Sequence, residues 1–304
     1  YYASWLGWVM TDANIQARAD GVKAAMDQRS EDLFGPGYTP TRIHWTASLS
    51  LKGNGKDADP DITPEGLVAY AEALAQRGVR FCIGIGKGPT PHLTAENFAD
   101  IFEASIVDGV CHMMARTKEL LDTEYLDAYK PHMDAVIARA AQLGVDPPKV
   151  MLCGKGPIFS ALSPSKASMW FPAYKDVFVP GVENSNVTVV DWSFAERVGL
   201  WLNGDVEDWG CNSIGDNIAA NRVAEWGGMR NGHIVLRQLL SQYAMGAKFF
   251  RITSIQGRAN PLYERGDTND PELRFSSSYR QGIHLFLKLV EKGVFPNNPA
   301  RDQL

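Results

Sequence analysis

Nowhere in these 304 residues does an apolar run approach the roughly 20 needed to cross a bilayer, so no membrane span is expected. An excess of basic charge is also missing. Thirty Lys and Arg face 35 Asp and Glu, for a net charge of -5. With no basic run and no nucleic-acid motif, nucleic acid is not an expected partner. Cysteine is scarce: Cys82, Cys111, Cys153 and Cys211 all fall in strand-like runs at spacings that suit neither a zinc site nor a disulfide framework. They read as small buried residues. The six histidines form no HExxH or HxH pair, and no EF-hand spacing occurs, so no metal site is expected. There is no GxGxxG after a first strand and no GxxxxGK[ST], which leaves nucleotide cofactors without support. No GxSxG elbow and no C/S-x-P-x-R nucleophile motif is present. The chain starts at Tyr1 with neither an initiator Met nor a signal-peptide pattern. It reads as a mature or excised segment, which leaves room for flanking domains.

What is present is an ordinary globular composition, 45% hydrophobic and 21% charged, with eight Trp. Flat aromatic faces suit sugar clefts, although Trp is also common core material. Strand-like runs are expected at 5–10, 42–51, 80–86, 109–115, 149–154, 187–190, 209–214 and 248–253. Helical patterns alternate with them, at 13–29, 65–77, 95–104, 124–143, 166–177, 194–202, 234–245 and 278–292. Thr63-Pro64 and Thr94 mark helix starts, and Gly78 and Gly144 mark stops. Eight strands alternating with eight helices predict an α/β fold, a single (β/α)8 TIM barrel over residues 1–304.

Barrel sites lie at strand C-termini, and the residues there define the candidate chemistry. The stretch 186–217 is central, because two successive runs end in a carboxylate: Asp191, beside Trp192, and Asp216. On parallel neighbours the two would share one crevice; either alone would suit a helix cap or turn. Cations gather at the same end. Lys52, Lys87 and Lys155 each precede a glycine, Arg116 ends the fourth run and Arg251 lies in the eighth. An ammonium beside free backbone N–H groups suits sulfate, phosphate or carboxylate. His92 lies in the loop after the third run. Trp192, Trp209 and Trp226 are candidates to stack on sugars. Glycoside hydrolysis needs two carboxyls, about 6.5–9.5 Å apart in inverting enzymes and about 5–5.5 Å in retaining ones. Asp191 and Asp216 are placed to activate water, with Glu119, after the fourth run, as the acid. Glu196 fits the first turn of a helix, where acids are favoured.

The Asp-ending runs, the long connection bearing Trp226 and Arg230, and the segment IVLRQLLSQYAMGAKFF at 234–250 together resemble barrel glycoside hydrolases acting on galactose-based polymers. The layout is similar to the inverting endo-β-galactosidases of glycoside hydrolase family 98 and, through its cationic mouth, to the lambda-carrageenases of marine bacteria. That resemblance implies a secreted or periplasmic bacterial endo-hydrolase of an anionic, sulfated galactan, working without a cofactor on a polysaccharide partner. It also implies an acid at the end of strand four, a place that residues 113–116 hold here, with Glu119 further on. Two other readings stay open. One is a Schiff-base or enolising barrel enzyme using Lys155 or Lys87 on a phosphorylated small molecule. The other is a sugar-binding barrel without catalysis.

Overall fold

The structure, a computed structural model, describes residues 2–7, 12–50, 62–118, 120, 122–154, 156, 158–182, 190–213, 233–252, 280–295 and 301. Strand β1 (Tyr2–Gly7) leads to helix α1 (Ile15–Phe34), β2 (His44–Ser50), α2 (Pro64–Gln76) and β3 (Arg80–Lys87). A short β4 (Thr90–Pro91) folds back on β3 before α3 (Ala95–Ala104). The hairpin β5 (Ile106–Val107) and β6 (Val110–Cys111) precedes β7 (Met113–Lys118), a 3-10 segment (Thr123–Tyr129) and α4 (Lys130–Leu143). Then come β8 (Val150–Gly154), α5 (Pro164–Tyr174), β9 (Phe178–Val182), α6 (Val190–Asn203) and β10 (Gly210–Ser213). The chain ends with α7 (His233–Ala244), β11 (Phe249–Ile252) and α8 (Leu285–Glu291), which follows a π-helical turn.

Among the described residues eight strands run parallel, in the order β10-β11-β1-β2-β3-β7-β8-β9. The helix starts read from the sequence recur as caps: Thr63 accepts from Gly66 N–H and Thr94 from Asn97 N–H. Gly144 ends α4 at φ 67, a conformation that costs glycine least.

Besides the first strand, which begins at Tyr2 rather than at residue 5, two expected strands are displaced, each for a local reason. The fourth begins at Met113 rather than 109, because Asp108 (φ 50) and Gly109 (φ 75) turn β5 into β6 first. Asp-Gly with both φ positive is the two-residue hairpin turn. The sixth strand is β9, and it contains Pro180 and Gly181, residues that read as a loop. Pro180 is tolerated because β9 ends the hydrogen-bonded path: one edge pairs with β8, where Pro180 lies opposite Leu152, and the other carries no described ladder. Val190 belongs to α6 rather than to a strand, while residues 183–189 lie outside the described residues.

The two ends of the path, β9 and β10, approach each other, and side chains join them. Lys149 donates to Asp176 O, just before β9, at 2.7 Å and pairs with Asp208, just before β10, at 2.8 Å. Lys248, entering β11, completes the group on Asp208 at 2.5 Å, and Lys175 pairs with Glu207 at 2.9 Å. Higher up, the buried Arg197 of α6 donates to Gly210 O at 2.5 Å. A carbonyl that a neighbouring strand would satisfy is satisfied by a guanidinium instead.

Inside the sheet lies an apolar layer of Cys82, Met114, Met151, Cys153, Val179 and Phe249. The larger core packs helices against the outer strand faces. Three cysteines are buried and Cys111 is half-buried, all unpaired to one another, as their strand positions suggest.

Glu291, on α8 and 5% exposed, fastens the last helix to the start of β2. Its carboxylate accepts from the N–H groups of Thr41, Arg42 and Ile43 at 2.7, 2.9 and 3.0 Å, and from the Thr41 and Tyr38 hydroxyls. Burial alone would raise its pKa, but these donors hold it below 4.5. A depressed carboxyl stabilises the fold above its unfolded value and loses that contribution as pH falls through the folded one. Glu291→Ala is expected to cost about 3 kcal/mol in urea unfolding at neutral pH. The gap to wild type should narrow in acid; a gap that widened there would contradict this account.

Candidate functional site

The inner face of the sheet changes character toward the C-terminal ends of the strands. Strand β2 carries Thr46, Ser48 and Ser50 at every second position, with Ala47 and Leu49 buried between them. Ser48 is level with Cys82 of the apolar layer, and the next level runs Ser50, Gly84, Arg116 and Met151. Arg116 thus stands two residues beyond Met114 and directly above that layer. It lies inside β7, because the fourth strand runs on to Lys118 instead of stopping at 115.

Arg116 is 4% exposed. One Nη donates to Ser48 Oγ at 3.4 Å, a long and weak bond. Among the described residues its Nε has no hydrogen-bond partner and no carboxylate pairs with it. A buried guanidinium left so is costly unless something anionic meets it.

The rim above is also cationic. Lys87, exposed, is the last residue of β3 and sits opposite Lys118, the last of β7. The reversal that carries Lys87 is tightly specified. Gly88 has φ 56, Tyr129 Oη donates to Gly88 O at 2.7 Å, and a Cβ at Gly86 would collide with that same hydroxyl. His92, half-buried, closes the turn through its N–H to Ile85 O at 2.8 Å. The Gly-Lys-Gly-Pro echo at 154–157 is not a second copy of this turn, since Gly156 lacks the positive φ of Gly88.

Strand β7 also changes the standing of the candidate acid. Glu119 lies outside the described residues, but its sequence neighbours are both held in the sheet. Lys118 ends β7, and Leu120 bridges to Gly154 while donating N–H to Cys153 O at 3.0 Å. In sequence, Glu119 follows the strand directly.

Glu196 is the seventh residue of α6 rather than a first-turn acid. It accepts Ser160 N–H at 2.5 Å and so holds the loop after β8 against α6. Burial pushes its carboxyl above the ordinary value, which the Ser160 contacts only partly offset.

Trp209 corrects an expectation. It is fully buried at the N-terminal end of β10, away from the mouth, with Arg197 over its ring at 5.1 Å and Phe194 edge-on at 5.8 Å. No face is left for a sugar. Trp209 is core, and Arg197, lowered to about 10 by burial, still carries its proton at neutral pH.

The structure therefore brings Lys87, His92 and Arg116 together on β3, its hairpin and β7. Asp191 and Trp192 open α6, a helix and not a strand end, and Arg251 lies opposite Asn212 in the ladder; the side chains of these three are not described. Lys52, Lys155, Asp216 and Trp226 fall outside the described residues, as does Glu119. Ser48 and Lys118 were not singled out from the sequence. The hydroxyls alternating through β2 were the available sign of a polar lumen. Among the described residues no group of three or more His, Cys, Asp or Glu is placed to hold a metal ion.

The family described as "Lambda-carrageenase middle domain" matches residues 156–262. A lambda-carrageenase of Pseudoalteromonas carrageenovora is 32% identical over 74 residues, 24% of this chain and 8% of that protein. A lambda-carrageenase of Pseudoalteromonas sp. matches to the same extent. The matched stretch thus spans under a tenth of the length of these relatives. Among solved structures, the native catalytic module of a family 98 glycoside hydrolase from Streptococcus pneumoniae has a TM-score of 0.60 at 10% identity, covering 99% of this chain and 51% of that one. The same module with the H-disaccharide blood group antigen scores 0.58 at 11% identity, covering 99% and 52%. The resemblance read from the sequence is therefore found twice, to lambda-carrageenases in sequence over 156–262 and to family 98 modules in fold over nearly the whole chain.

Proposed function

We propose that this chain is the barrel of a secreted endo-acting glycoside hydrolase that cleaves an anionic, sulfated galactan. The observation that carries this reading is the lambda-carrageenase match over 156–262, which contains Asp191 and Asp216, within a chain folded like a family 98 catalytic module. Closure of the parallel sheet into a full barrel belongs to the proposal. The side-chain links between β9 and β10 support it. A cationic lumen and rim, Arg116 below Lys87 and Lys118, suits a polymer bearing sulfate esters. Such a polymer is too large to be taken up whole, which favours secretion.

In the reaction, Asp191 and Asp216 orient a water and take its proton as the oxygen bonds to the anomeric carbon. The glycosidic C–O bond breaks, and Glu119 delivers a proton to the departing oxygen. Inversion at the anomeric carbon follows. The place of Glu119 in sequence, directly after β7, supports it as the acid.

The test is release of reducing ends from lambda-, iota- and kappa-carrageenan, agarose and an uncharged galactan, with Asp191→Asn and Asp216→Asn alongside. Release from sulfated polymers only, lost by about 10²-fold or more in both variants, is the expected result. Activity that survives both substitutions would move the site elsewhere. No release from any polymer would refute the hydrolase.

A further inference from the structure

The five cations first associated with the mouth are not equivalent, and Arg116 stands apart. Lys87 is exposed at the rim, where water screens its charge. Arg116 is 96% removed from solvent, judged by its 4% exposure, and is held by one weak bond to Ser48. Among the described residues nothing accepts from its Nε. Other arginines of this fold have stronger contacts. Arg139 engages Glu96, Asp100 and Glu103 on α3, and Arg197 donates to Gly210 O over the Trp209 ring.

Space beside the guanidinium is also specified. Its neighbours in the ladder are Gly84 on β3, which carries no side chain, and Met151 on β8. Met114, one level below on the same strand, and Met151 beside it supply an apolar surround. A planar fork of donors in an apolar surround, with a hydroxyl at its edge, is a receptor for one oxyanion.

We infer that Arg116 and Ser48 form a buried subsite, inside the lumen and below the rim, for a single oxyanion carried by the saccharide: a sulfate ester or a uronate carboxylate. The inference rests on the proposed function only for the identity of that carrier. Within the polymer reading, this subsite selects the charged sugar ring admitted to the lumen, while the rim lysines attract the chain from outside.

Inorganic sulfate, acetate and chloride at equal ionic strength serve as probes in calorimetric titration of the whole chain. Wild type is expected to bind sulfate or acetate saturably at one site, and chloride not at all. Sulfate alone identifies a sulfate ester, and acetate alone a carboxylate. Arg116→Met should abolish that binding. Arg116→Lys, which keeps the charge and loses the fork, should weaken it by at least about tenfold. Arg116→Met should also melt at or above the wild-type temperature, because it removes an uncompensated buried cation; a purely structural arginine would give a lower Tm. The subsite is refuted if neither anion binds wild type saturably, a result independent of any variant's folding. It is equally refuted if Arg116→Met binds as well as wild type. Saturable binding lost in Arg116→Met, with no polymer cleaved, would sustain the subsite and remove the hydrolase. Cleavage of sulfated polymer with unchanged kcat/KM in Arg116→Met would do the reverse.

Discussion

Glu119→Gln is expected to lower kcat on a sulfated galactan by about 10²- to 10⁴-fold while leaving KM within about threefold, because proton delivery acts on the transition state and not on binding. The basic limb of the pH–rate profile should disappear with the acid that produces it. An aryl glycoside whose leaving group needs no proton should be spared most of the loss. Asp191→Asn and Asp216→Asn, acting on water, should show no such sparing, so the two roles separate by substrate. Full activity of Glu119→Gln on polymer would end the assignment and return the acid to an open question. Strand β7 is the reason to expect the effect. The ladder runs to Lys118 and a bridge follows at Leu120, so both sequence neighbours of Glu119 are held in the sheet.

The second large effect concerns folding. Asp208, with its side chain 8% exposed, joins Lys149 and Lys248 at the N-terminal ends of β8, β10 and β11. Burial alone would raise its pKa, and the two ammonium groups together outweigh that and depress it below 3.8. Asp208→Ala removes the shared anion and leaves two lysines facing each other. Both keep part of their length in solvent, 30% and 54% exposed, so the cost is set at about 2–4 kcal/mol, below that of breaking a fully buried pair. For a chain of this size that lowers Tm by roughly 3–6 °C. The sign with pH follows from the depressed value. The wild-type advantage is complete above 3.8 and fades as pH drops through the folded pKa. Equal melting of Asp208→Ala and wild type at neutral pH would show that the seam between β9 and β10 is held by something other than this group.

Local chemistry made much of the fold legible. Thr63-Pro64 and Thr94 are helix starts because a hydroxyl one residue outside the helix meets its free N–H groups, and that requires nothing from the rest of the chain. The runs at 80–86 and 149–154 became β3 and β8 because apolar stretches bounded by glycine have few alternatives. Two of the displaced strands have local reasons too: Asp108-Gly109 is a hairpin signal that went unused, and β9 contains a Pro-Gly pair that strands ordinarily avoid. What made Pro180 acceptable was its place at the end of the sheet path, which no local pattern reveals.

The candidate site divides along the same line. That cations and carboxylates crowd the ends of strand-like runs was set by residue order alone, because alternating β and α segments send every strand's C-terminus to one side. Which of them are buried, paired or turned into the core was not. Trp209 and Trp192 carry the same ring and the same sequence promise, yet Trp209 is sealed under Arg197 because it enters its strand from the closed end. Arg116 differs from Lys87 by register: one lies two positions inside its strand, over an apolar layer and beside Gly84, while the other stands at a hairpin tip in water. Sequence determined the chemistry available to this chain, since side-chain type and local propensity are properties of single residues and near neighbours. The tertiary structure decided where each charge meets low or high dielectric, since register and burial arise only when distant strands pair.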